Sequence, residues 1–228
     1  ISATGADGPL VLAEGLPRGT AFQWLTSTVP DGWYELRAAF DYGGRSGPVG
    51  EAVRNVLVNN SATWHGGSVA ADEVWSADTV HIVEYDVTVP AGVTLTIAPG
   101  AVVKCLPGTR IVVADAGGLD APGTEAAPII FTALADDTVG GDTNHDGGDS
   151  SPIPGEWFGL QVDPVGVLSL SEYTELRYVQ TVHEGGLASD ETWLATSAHH
   201  VTGEVIVPAG TTLSLEPGAI VKFAPGQG

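Results

Sequence analysis

The chain has 228 residues, of which 43% are hydrophobic, so it can bury a real core in one large or two modest domains. Twenty-eight acidic residues oppose eight basic ones, a formal charge of −20, which repels nucleic-acid phosphates and anionic membranes. One cysteine, Cys105, excludes an internal disulfide, and no run of 18 apolar residues exists to span a membrane. Glycine (31) and proline (15) are abundant, which suits many short strands joined by tight turns rather than helices.

The first sixty residues predict strands of ordinary length. Trp33–Phe40 and Arg54–Asn59 alternate apolar and polar positions, and "GGRSG" at 43–47 reads as a turn. Val49–Asn55 is the best helical candidate, one or two turns at most. The pattern around "DGWYELRAAFDYGG" resembles the closing strands of bacterial immunoglobulin-like or fibronectin type III modules. That resemblance implies a partial β-sandwich over residues 1–62, with Tyr34 as a corner tyrosine. A linker is expected at "NNSATWHGG", residues 59–67, which carries His65 and the sequon Asn59-Asn60-Ser61.

A repeat dominates the remainder of the chain. Residues 75–108, "WSADTVHIVEYDVTVPAGVTLTIAPGAVVKCLPG", align without a gap to residues 193–226, "WLATSAHHVTGEVIVPAGTTLSLEPGAIVKFAPG", and 18 of 34 positions are identical. Inside each copy, apolar triplets such as Leu95-Thr96-Ile97 and Ile111-Val112-Val113 alternate with "PAG" and "PG" corners. Strands this short bury their apolar faces by winding into stacked coils that pair in parallel. The stretches "VTVPAGVTLTIAPGAVVK" and "APIIFTALADDTVGGDTNHDGGDSSPIPGEWFGLQV" resemble right-handed parallel β-helix segments of large bacterial secreted and surface proteins. The resemblance covers roughly residues 75–180 and again 193–228. It implies an all-β chain with a β-helix over 63–228 and an extracellular or cell-surface location. It also implies a structural or adhesive role, with partners that are other copies of the chain or surface glycans. A chain that stops inside "KFAPGQG" is expected to be a piece of a longer polypeptide.

Residues 141–157, "GDTNHDGGDSSPIPGEW", carry four carboxylates and no Lys or Arg. Asp142, Asn144, Asp146 and Gly147 match the first half of a calcium loop, with alternate oxygens aimed inward and a glycine for the sharp turn. The position of the bidentate glutamate of an EF-hand is Ile153, so further ligands must come from Asp137, Asp149 or Glu156, from Asp136, or from backbone carbonyls. Structural Ca2+ is the expectation; a solvated acidic loop is the alternative.

Catalytic patterns are missing. There is no G-x-S-x-G, H-E-x-x-H or phosphate-binding glycine loop. A polysaccharide lyase on this fold needs a basic residue on a strand face, and the candidates are Lys104, Arg110 and Arg177. Lys104 recurs as Lys222, which argues for a structural role. His81 and His199 are also repeat mates; His183 and His200 read as isolated. Cys105 is Phe223 in the second copy, so it fills a core position. Trp75 and Trp193 seal each copy, while Trp24, Trp33 and Trp64 remain candidates for stacking on sugars. A non-catalytic structural segment is therefore expected, with a carbohydrate-active enzyme or a glycan-binding module as the rivals.

Overall fold

The computed structural model describes residues 1–5, 7–17, 19–40 and 50–224. The 43–47 turn, Val49 and residues 225–228 lie outside them. The chain is all-β: twenty strands and one short 3-10 turn, Thr26–Thr28, make up its regular structure among those residues. It divides into two compact units, Ile1–Ser61 with Asp142–Gly147, and Ala62–Gly141 with Gly148–Gly228.

The first unit holds one antiparallel sheet in the order β2-β1-β3-β4. Its strands are β1 (Ser2–Gly5), β2 (Gly8–Val11), β3 (Gly32–Phe40) and β4 (Gly50–Val58). The helical expectation for 49–55 fails: Gly50–Asn55 belong to β4, and Arg54 and Val56 pair with Leu36 and Tyr34. β-branched Val53, Val56 and Val58 sit better on a pleated sheet than on a helix of two turns. The expected sandwich is not met by a second facing sheet among the described residues. Instead Ala3, Tyr34 and Val58 are covered by Leu12, Trp24 and Val29 from the 12–29 loop. Tyr34 donates its hydroxyl to the Pro30 carbonyl at 2.9 Å, and Trp24 meets its ring edge-on.

In the second unit every strand pair is parallel. Its strands are β5 (Ala62–Ser68), β6 (Glu73–Trp75), β7 (Val80–Val89), β8 (Thr94–Ile97), β9 (Val102–Cys105), β10 (Ile111–Val113), β11 (Gly118–Ala121) and β12 (Ile129–Ala133). They continue with β13 (Leu160–Val162), β14 (Val167–Leu170), β15 (Thr174–Leu176), β16 (Gln180–Gly186), β17 (Glu191–Trp193), β18 (Ala198–Ile206), β19 (Leu213–Leu215) and β20 (Ile220–Phe223). One sheet orders β13-β10-β7-β9-β12-β15, with β5 also on β7; a second orders β14-β11-β8-β6. The expected linker is thus corrected: residues 62–68 form β5, which pairs with β7 from Ala62↔Val80 onward.

Alternation explains the core. Leu95 and Ile97, Val103 and Cys105, Ile111 and Val113, and Ile129 and Phe131 point inward and are fully buried. The corners need glycine where the backbone turns left-handed. Gly92 and Gly100 have φ of 74° and 84°, and their repeat mates Gly210 and Gly218 have 90° and 95°.

The structural repeat starts earlier than residue 75. Strands β5 to β9 recur as β16 to β20 with the same pairing order: β5-β7-β9 with β6-β8, then β16-β18-β20 with β17-β19. Upstream of Trp75 and Trp193, Asp72 accepts the Thr94 N–H at 2.8 Å, and Asp190 accepts the Thr212 N–H at 2.7 Å. The two copies differ in their cover. Ile97 and Cys105 are fully buried under later strands, whereas their mates Leu215 and Phe223 are 52% and 59% exposed. β8 and β9 pair onward with β11 and β12, but among the described residues no strand pairs onward with β19 or β20.

Candidate functional site

The six residues expected to hold calcium divide between the units. Asp142, Asn144 and Asp146 belong to the first; Asp137, Asp149 and Glu156 belong to the second. In the first, carboxylate oxygens of Asp142 and Asp146 lie within 4.8 Å of each other. Asp142 accepts the backbone N–H groups of Asp146 (3.2 Å) and Gly147 (2.9 Å), and Asn144 donates its amide to Asp146 at 2.8 Å. The segment is held by its carbonyls: Trp33 Nε1 donates to Asn144 O at 3.1 Å and Asn59 Nδ2 to Thr143 O at 2.7 Å. The sequon's Asn59 amide is therefore already engaged, and the Trp33 indole N–H has a backbone partner.

In the second unit, Glu156 turns back onto its own loop and accepts the Ile153 N–H at 3.1 Å. Asp136, next to Asp137, is buried. Burial works against its charge, but hydrogen bonds from Thr132 and Thr138 and the field of Arg177 hold its carboxyl below the ordinary range.

The basic candidates for lyase chemistry are all tied down. Lys104 is fully buried on β9 and donates Nζ to the Gly141 carbonyl at 2.5 Å. Arg110 pairs with Asp86 at 3.3 Å, donates to Gln161 and lies 4.9 Å over the Phe158 ring. Arg177 pairs with Glu175 at 2.6 Å. Arg110 and Phe158 line a shallow groove with Gln161, Gln180, Thr181 and Val182, and no carboxylate or imidazole lines it. Cys105 is buried, and burial pushes its thiol far above the range in which a thiolate forms.

The most organised polar cluster is one that the pattern of the sequence did not reveal. His65 on β5 and His81 on β7 face each other, Nε2 to Nδ1, at 2.8 Å. The outer nitrogen of His81 is 2.8 Å from the Ser76 carbonyl. Trp75 stacks on both rings, with centroids 3.9 Å from His65 and 5.1 Å from His81, and its indole N–H donates to Glu73 at 2.9 Å. Glu73 in turn lies 3.8 Å from His65 Nδ1.

The arrangement recurs. His183 on β16 meets His199 on β18 at 2.8 Å, and His199 reaches the Leu194 carbonyl at 3.0 Å. Trp193 stacks on both and donates to Glu191, which lies 3.4 Å from His183. His183 is thus not isolated, and His65 is not in a linker.

A carbonyl only accepts, so Nε2 of His81 carries a proton and its Nδ1 is the acceptor for His65 Nε2–H. This order leaves both imidazoles neutral. Burial, then the neighbouring His81, push His65 down to about 4, against the pull of Glu73. Burial lowers His81, opposed by the Ser76 carbonyl and Glu73. Burial also lowers His183, opposed by Glu191 and reinforced by His199. The signal in the sequence was the offset itself: His65 and Glu73 stand at the same spacing from His183 and Glu191 as Trp75 from Trp193. The same offset extends upstream of Trp75, where six of the 13 positions in 62–74 are identical to those in 180–192. Comparison with protein-family models, curated proteins and solved structures finds no match to this chain.

Proposed function

We propose that the chain is a non-catalytic structural segment of a secreted or surface-exposed bacterial protein. In this reading its parallel sheets are faces of a right-handed β-helix, preceded by a small immunoglobulin-like module. The observation that supports it is the five-strand block that occurs twice with the same pairing order and the same His, Trp and Glu positions. A block that buries its apolar face against its neighbours is how stacked-repeat proteins gain length, and extra blocks lengthen them without new design. A reaction centre has no need to be duplicated in this way. The acidic surface suits a protein that stays soluble outside the cell, with other copies of the chain or surface glycans as its partners.

The test is a chain in which residues 75–192 are duplicated in tandem. The strand signal in circular dichroism grows with chain length and the urea midpoint stays at or above that of the parent. Aggregation or loss of strand signal sinks the modular reading. Unsaturated product from uronic acid polymers would mark a lyase instead, and hits on a glycan array would mark a binding module.

The second part of the proposal is structural Ca2+ at the Asp142–Asp146 turn. Asp142, Asn144 and Asp146 offer oxygen donors at a spacing of two, and the backbone bonds to Asp142 hold the turn in place. Adding Ca2+ to chelator-treated protein is expected to raise the thermal midpoint by about 2–4 °C for each kcal/mol of binding free energy gained. Asp142→Asn removes that rise. No calorimetric heat and no thermal shift in the parent chain would dispose of the ion.

A further inference from the structure

We propose that the paired imidazoles at the head of each block are an acid-released clasp, joining β5 to β7 and β16 to β18. The inference does not depend on the β-helix reading; it rests on two copies of one geometry. The charged and titratable groups facing each pair are few. Glu73 on β6 and His81 on β7 face His65, and Glu73 faces His81; Glu191 on β17 and His199 on β18 face His183.

With neutral rings the chain of donors is complete: His65 Nε2–H to His81 Nδ1, and His81 Nε2–H to the Ser76 carbonyl. A first added proton has one place to go, His65 Nδ1, where Glu73 at 3.8 Å moderates the charge. A second must sit on His81 Nδ1. Two N–H donors would then confront each other across 2.8 Å with no acceptor between them. The rings also carry charge where burial resists it, against the face of an indole already engaged with the same glutamate. The same arrangement of donors and acceptors recurs at His183, His199 and Glu191. Because the pairs span neighbouring parallel strands, their loss frees β5 and β16 while the apolar core of β8 to β12 stays in place.

The sign comes from linkage. A histidine whose proton affinity is depressed in the fold stabilises it fully above its ordinary pKa of 6.5, and that contribution drains away as pH falls towards about 4. Hydrogen exchange on the whole chain between pH 7.5 and 4, corrected for intrinsic rates, reads this directly. Protection of β5 is expected to fall about 100-fold between pH 6.5 and 4 and that of β16 to fall in the same direction, while β10 to β12 change little. In the His65→Gln, His183→Gln double variant the amide still donates to His81 and His199 but takes up no proton, so the fall disappears. Flat protection of β5 and β16 in the parent overturns the clasp, as does an undiminished fall in the variant. Should the variant not fold, imidazole resonances of the parent decide. Titration of His65 and His183 well below 6.5, together with faster β5 exchange, supports it; titration near 6.5 removes it.

Discussion

Trp157→Ala lowers the unfolding free energy by about 3–5 kcal/mol, the range for deleting a fully buried aromatic ring. Trp157 has no exposed surface and lies where the chain returns from the acidic excursion to the strands. Its ring stacks near Phe131, with centroids 6.4 Å apart, and its indole N–H donates to the Arg177 carbonyl at 2.8 Å. Its own carbonyl accepts the Gln180 N–H, also at 2.8 Å. Alanine would leave a void beside Phe131, because neighbouring strands held by parallel ladders cannot close in. It would also leave the Arg177 carbonyl without its donor, which alone costs about 1–3 kcal/mol in a buried site. Trp157→Phe keeps most of the ring and isolates that hydrogen bond. Urea denaturation followed by far-ultraviolet circular dichroism measures both. A loss under about 1 kcal/mol for the alanine variant would contradict the burial on which the expectation stands.

The second large effect separates two residues with the same local sequence. Lys104→Ala is expected to cost about 2–5 kcal/mol, whereas Lys222→Ala stays within about 0.5 kcal/mol. Lys104 lies on β9 between Ile82 of β7 and Thr132 of β12, and its ammonium caps the Gly141 carbonyl where the acidic excursion begins. Truncation removes a buried aliphatic stem and strips a carbonyl of its donor. Among the described residues Lys222 pairs with His200 alone, and its side chain is exposed. Lys104→Met, which keeps the stem and drops the ammonium, splits the packing cost from the hydrogen-bond cost. Equal losses for Lys104→Ala and Lys222→Ala would mean that the two sites share one environment after all.

The same pair of lysines shows where sequence reasoning stops. "PGAVVK" and "PGAIVK" both read as a strand that alternates its side chains, and both are strands. Burial is another matter: it depends on whether a further strand lies alongside, and β12 supplies one for Lys104. His65 and His183 make the point for a site. Nothing in "TWHGG" or "TVHEGG" announces an imidazole pair, because the partner stands sixteen residues away on the next parallel strand. Only the register of β5 on β7, and of β16 on β18, brings the rings together. The acidic loop is intermediate. Its donors were legible at a spacing of two, but the grouping of Asp142–Gly147 with the first unit was not.

By itself, the sequence determined whatever is written in near neighbours: all-β composition, the 118-residue repeat, inward and outward alternation within each strand, and corners that require glycine. Tertiary structure decided what depends on residues distant in the chain. That includes the parallel pairing order, the exposure of Leu215 and Phe223 against the burial of Ile97 and Cys105, and the twin imidazole pairs. The physical reason is range. Backbone preference and side-chain alternation act over two to four residues, whereas burial and hydrogen-bond partnership in a parallel sheet are set by strands a whole turn of chain away.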